Sequence, residues 1–252
     1  MADLIRYHWL VLLLAAPCVG SFLGAAAVRL PESRALLWSR SACPHCGHRL
    51  GWRDLVPVLS WLVNRGACRH CGGTVAWTYP AIELAALAVA LWSLAVTPGW
   101  LAWASSAFGW SLLTLAVIDA RSLLLPDEIT LPLVPAGLAV AWAVDPARLG
   151  PHAIGAAAGF LIVALVRVAY RRLRHREGIG LGDAKLLAAA GAWVSVEGLP
   201  GVLLVAAGAA LLGHLAWAGL SGRGVRDRKL PFGPYLAGSA WLIWLYGPLV
   251  AG

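Results

Sequence analysis

Apolar residues gather into eight blocks, at about residues 9–30, 80–96, 100–118, 128–144, 152–170, 183–196, 201–220 and 231–250. Most approach the roughly 20 residues that a helix needs to cross a hydrocarbon layer about 30 Å thick. The sixth is shorter and rich in alanine and glycine. Tight connections punctuate the blocks, such as Thr97-Pro98-Gly99, where proline and glycine favour a turn. This pattern predicts an all-α, polytopic membrane protein with about eight transmembrane helices. One long polar interruption, residues 31–79, predicts a small extramembrane loop domain. The expected division is a first transmembrane helix over 1–30, the loop domain over 31–80 and a seven-helix membrane domain over 81–252.

Composition agrees: 60% of residues are hydrophobic and 13% charged, which does not suit a water-soluble globule of 252 residues. Many of the 14 tryptophans stand near block ends, where interfacial belts place them. The first block lacks a small-residue cleavage pattern after it, so it reads as a retained span and not a removed signal. The net charge is +8, but its placement says more than its size. Nearly every Arg and Lys falls on the loops after spans one, three, five and seven, while the opposite side holds Arg6 and Arg148. Positive-inside bias then puts the polar loop, Asp119, Asp127 and Asp183 at the cytoplasmic face. The bilayer is the expected partner, and no nucleic acid is expected.

Chemistry centres on Glu177-Gly178-Ile179-Gly180-Leu181-Gly182-Asp183-Ala184-Lys185. Glycines let the backbone turn sharply and let other chain approach. A carboxylate at the mouth of an apolar helix costs about 2.5–3.5 kcal/mol on insertion scales unless it is partnered. Asp183 reads either as a helix cap or as half of a pair. Asp119, at the end of the run Leu112 to Ile118, lies at the same expected depth; its alternative is an ion pair with Arg121. Two carboxylates meeting in a poorly hydrated site share a proton. That division suits an aspartic protease: one member takes a proton from water, and the other donates to the scissile carbonyl oxygen. Asp127 reads as the cap of the fourth span after Pro126. Glu83 and Lys185 are expected to be satisfied within the helices. A proton or ion relay is the competing class, but a relay places its groups at several depths, whereas these cluster at one face.

The sequence repeats a knuckle: Cys43-Pro44-His45-Cys46-Gly47-His48 and Cys68-Arg69-His70-Cys71-Gly72-Gly73. The gap between the pairs runs one residue past the roughly 15–20 common in four-cysteine zinc sites. Cys43, Cys46, Cys68 and Cys71 therefore read as ligands of a structural zinc ion, whose filled shell leaves no open position for chemistry. The alternative, disulfides, is opposed by a reducing cytoplasmic setting. His45, His48 and His70 are spare candidate ligands, and Cys18 reads as an apolar packing residue.

In this order the motifs resemble the type IV prepilin peptidases, leader peptidases that are also N-methyltransferases. The resemblance rests on Gly20-Ser21-Phe22-Leu23 with Arg29-Leu30-Pro31, on both cysteine knuckles, and on Pro57 to Leu62. It continues through Tyr79-Pro80 with Glu83, Ile118-Asp119 through Leu125-Pro126-Asp127, Gly180 to Leu186, and Pro231-Phe232-Gly233-Pro234-Tyr235. The Gly180-Leu181-Gly182-Asp183 segment also resembles the G-x-G-D motif of presenilin-like proteases. The resemblance implies that Asp119 and Asp183 are the catalytic pair in an inner-membrane enzyme. It implies cleavage of the basic leader of type IV prepilins and pseudopilins after a glycine. It also implies methylation of the new amino terminus from S-adenosylmethionine. The chain departs from the family pattern at Gly24, where asparagine is usual, and at Thr78, where arginine often precedes Tyr-Pro; both bear on the methylation expectation. A membrane methyltransferase with a residual or absent protease is the third reading.

Overall fold

A computed structural model describes residues 7–32, 41–174, 180–221 and 231–249. Arg6, Arg34, Arg40, Glu177, Gly178, Ile179, the end of the 171–176 basic run and the basic loop 223–229 lie outside the described residues. The helices among the described residues are α1 His8–Arg29, α2 Leu59–Val63, α3 Thr78–Val96, α4 Leu101–Ser122, α5 Asp127–Val144, α6 Leu149–Arg174, α7 Leu181–Ser221 and α8 Gly233–Tyr246. Two isolated β-bridges, both in the polar loop, are the only extended pairings there. The fold is all-α, as the apolar pattern predicts. Ser and Thr hydroxyls in the helices donate back to carbonyls one turn earlier, as in Ser93 to Val89, Thr97 to Ser93 and Thr114 to Trp110. This is how such groups are satisfied where water is scarce.

Among the described residues, six helices are long and apolar enough to cross a membrane. The expected sixth and seventh spans are fused into α7, 41 residues long. At 1.5 Å per residue that is about 60 Å of helix, twice a hydrocarbon thickness. The break falls at Ser195 (φ 65°, ψ 176°), not at the Gly198–Pro200 segment, which is helical. Neighbouring side chains stabilise the bend. His152 Nδ1 donates to the carbonyl of Ala192 at 2.9 Å, and Arg148 pairs with Glu197 just past it. The eighth apolar block forms α8, only 14 residues long, or about 21 Å.

The chain divides into two compact units, Met1–Thr114 and Leu115–Gly252. In the first, α1 packs on α3 around Leu12, Ala16, Ala86, Ala90, Ala102 and Trp110. Gly20 makes this approach possible: a Cβ there would lie 2.6 Å from the Glu83 Cα. Trp110 Nε1 donates to the carbonyl of Ala86 at 2.9 Å. In the second unit α6 and α7 touch backbone to backbone at Gly155 and Gly191, the small-residue contact by which helices associate in lipid. Trp193 crosses from α7 to α5, lying on Gly137 and donating to the Leu133 carbonyl at 2.9 Å.

Candidate functional site

The second unit carries the aspartates. Asp119 ends the apolar stretch of α4 and is 6% exposed. It does not pair with Arg121. Its Oδ2 accepts a hydrogen bond from the backbone N–H of Gly233, at the start of α8, at 2.8 Å. The fit is close: a Cβ on Gly233 would stand 2.7 Å from that oxygen. Asp183 lies in the first turn of α7 and accepts a hydrogen bond from the Gly180 backbone. It thereby satisfies an orphan donor at the helix start, as a third-position acid in a capping box does. The capping reading and the pair reading are therefore compatible. Asp183 also stands within electrostatic reach of Asp119. The structure brings these two predicted residues together from different helices.

Asp127 is engaged by a different partner. It opens α5, is exposed, and has both carboxylate oxygens on Lys185 Nζ, at 2.6 and 2.7 Å. Gly182 needs to be glycine for a steric reason: a Cβ there would lie 2.9 Å from the Leu125 Cβ. Gly233 is the residue that sequence reasoning missed. The motif Pro231 to Tyr235 was legible, but nothing in it signals a hydrogen bond to a residue 114 positions away.

The first unit carries the cysteines. The two knuckles share one fold, offset by a constant step along the chain. Cys43 N donates to the His48 carbonyl and Gly47 N to the Cys43 carbonyl. Cys68 N likewise donates to the Gly73 carbonyl and Gly72 N to the Cys68 carbonyl. Each is closed by one of the bridges, Ala42–Arg49 or Ala67–Thr74. Gly47 (φ +67°) and Gly72 (φ +70°) adopt the left-handed conformation that the reverse turn requires.

This arrangement brings one sulfur from each of Cys43, Cys46, Cys68 and Cys71 within 4.8 Å of the others. Cys43 and Cys71 sulfurs are 3.9 Å apart. Zinc with sulfur at about 2.3 Å spaces tetrahedral ligands about 3.8 Å apart, whereas a disulfide needs about 2.05 Å. The cluster fits a four-coordinate metal. Backbone donors at Cys46 and then His45 pull the Cys43 thiol down to about 6. For Cys71 the Gly73 N–H, the largest single influence, favours the thiolate. Burial and the sulfurs of Cys46, Cys68 and Cys43 nevertheless push it up to about 11. Four crowded thiols cannot all ionise without a cation among them.

The histidines are exposed and stand outside the four-sulfur group. His45 lies on Gly73, where a Cβ would meet its ring at 2.7 Å, and contacts the Thr74 carbonyl at 3.3 Å. His48 and His70 lie ring to ring, with centroids 3.5 Å apart. Glu83, buried in α3, accepts from Val58 N at 2.7 Å and so ties the loop to that helix. Val58 has φ 59°, a conformation that is strained for a β-branched residue.

Removal of a buried ligand tests the cluster directly. Replacing Cys43 or Cys68 by Ser is expected to weaken zinc binding at least about 10-fold and to loosen the loop. Elemental analysis of the purified full chain, with limited proteolysis, measures both.

A helical membrane chain with two carboxylates in electrostatic reach of each other and a four-sulfur loop defines a class: polytopic membrane proteins carrying a candidate aspartyl site. Comparison with known families then gives the particular one. Residues 14–97 match the bacterial peptidase A24 N-terminal domain, and residues 106–215 match the type IV leader peptidase family. A protein of Aeromonas hydrophila named prepilin leader peptidase/N-methyltransferase is 40% identical over 216 residues, 84% of this chain and 73% of that one. A Burkholderia pseudomallei (strain K96243) protein of the same name is 44% identical over 221 residues, covering 86% and 71%. One of Dickeya chrysanthemi, also so named, is 40% identical over 257 residues, covering 92% and 90%. The chain belongs to the type IV leader peptidase family. No solved structure matches it.

Proposed function

We propose that this chain is an inner-membrane aspartic endopeptidase with Asp119 and Asp183 as its catalytic pair. It removes the basic leader of type IV prepilins and pseudopilins after a glycine, at the cytoplasmic face, and then N-methylates the new amino terminus. One observation carries the reading: a buried Asp119 and a helix-start Asp183 within each other's electrostatic reach. The pair acts as a unit with one proton between its members. One carboxylate removes a proton from the attacking water, and the other donates to the scissile carbonyl oxygen as the tetrahedral intermediate forms. The Gly233 and Gly180 N–H groups orient the two acids.

The cytoplasmic orientation is supported by the Arg and Lys distribution between alternate loops. S-adenosylmethionine supplies the methyl group; the names of the relatives support its use here. Cys43, Cys46, Cys68 and Cys71 hold a zinc ion that braces the loop. The functional division follows residues 1–30, 31–80 and 81–252, with the hydrolytic site in the last.

Incubating the purified chain with a prepilin and weighing the products, with and without S-adenosylmethionine, tests the proposal. Cleavage after the glycine yields leader and stem in both cases, and donor adds one methyl mass to the stem. An uncut prepilin refutes the protease; a cut but unmodified stem refutes the methylation.

A further inference from the structure

The structure assigns a task to Asp127 and Lys185: their ion pair is a clasp that ties the start of α5, which the chain reaches soon after Asp119, to the first turn of α7 beside Asp183, and both are positioning residues. This inference rests on the reading of Asp119 and Asp183 as the reactive pair.

The clasp closes a short ring. Asp119 sits near the end of α4, where Leu123 N returns to the Asp119 carbonyl at 2.9 Å. Leu123 itself takes φ 55°, so the chain turns abruptly out of the helix. Leu125 then lies on Gly182, one residue before Asp183. Pro126, in an extended conformation, aims the chain into α5, whose first residue is Asp127. Asp127 reaches Lys185, two residues after Asp183, with both oxygens. The covalent path from Asp119 to Asp127 is thus fastened on either side of Asp183, by a steric contact before it and an ion pair after it.

Exposed ion pairs between flexible side chains contribute little on average. This one differs in geometry. Lys185 is only 22% exposed, and it engages both carboxylate oxygens. It also lies close in sequence to Gly182, on which Leu125 packs closely. Asp127 is committed to Lys185 through both carboxylate oxygens, which suits an anchor.

A misplacement of about 1 Å at a reacting group can cost on the order of 100-fold in rate. Loss of the clasp should therefore lower kcat and leave KM nearly unchanged, as expected of groups that only position the reacting acids. The variants are Lys185→Met, Asp127→Asn, Lys185→Arg and the exchange Asp127→Lys with Lys185→Asp, beside Asp119→Asn and Asp183→Asn as references. Cleavage of a prepilin by each purified full chain gives kcat and KM. The expected result is an about 10- to 100-fold fall in kcat for the two single neutralisations. Lys185→Arg should stay near wild type, and the exchange should regain most of the loss. Two results overturn the clasp: wild-type kcat in both neutralised variants, or an Asp127→Asn enzyme as inactive as Asp119→Asn beside an active Lys185→Met enzyme. The latter would move Asp127 into the reactive pair. If a neutralised variant does not fold, Lys185→Arg and the exchange decide, and failure of both to cleave also overturns the clasp. Full activity in Asp119→Asn and Asp183→Asn would instead remove the protease reading itself.

Discussion

Asp119→Asn and Asp183→Asn are each expected to lower leader cleavage by about 1,000-fold or more while leaving the protein folded and membrane-inserted. General acid and base groups each contribute about 10²–10⁴-fold, and neither acid can take over the other's part. Asparagine keeps nearly the same shape, so Asp119→Asn can keep the Gly233 N–H through its amide oxygen. The change removes proton chemistry and little else. Prepilin cleavage, followed by mass, measures the effect; size-exclusion elution in detergent checks folding. Methylation of a synthetic stem peptide that already has a free amino terminus should persist in both variants if the methyl-transfer site is separate.

The second large effect is expected from Gly233→Ala, a change of one methyl group on a residue with no side chain. The added Cβ would lie 2.7 Å from the Asp119 Oδ2 and 2.9 Å from its carboxyl carbon. Either the carboxylate rotates away or the start of α8 withdraws, and both break the 2.8 Å hydrogen bond. A loss of about 100-fold in kcat follows from misplacing one reacting group by an ångström. Gly238→Ala, on the same helix with no atom within 4 Å of its added Cβ, should cleave at the wild-type rate. Equal rates for Gly233→Ala and wild type would show that the α8 contact does not position Asp119.

The contrast between Asp119 and Gly233 shows what the sequence could reveal. A carboxylate at the end of an apolar run carries its own energetic signal, because such a group needs a partner at that depth. Asp183 and the four cysteines are legible in the same way, through cost or through spacing. Gly233 has no such signal. Its importance comes from a neighbour on another helix, and one sequence contains no record of that. The bend in α7 teaches a related lesson. The stretch 197–200 between the apolar blocks 183–196 and 201–220 is helical, and Pro200 falls early in the segment that follows the bend. Ser195 is the residue that leaves helical geometry, and His152 takes up the Ala192 carbonyl just before it. The histidines of the loop offered spare ligand atoms on paper. Their rings are taken up by Gly73 and by each other.

Asp119 and Asp183 are proposed to work as one group, and a double-substitution cycle measures that most directly. Residual cleavage rates would be compared for Asp119→Asn, Asp183→Asn and the enzyme carrying both. Members of one catalytic unit are strongly non-additive. The account predicts that the double variant is no slower than the slower single one. Losses that multiply would contradict it, because two acids acting separately would each remove their own factor.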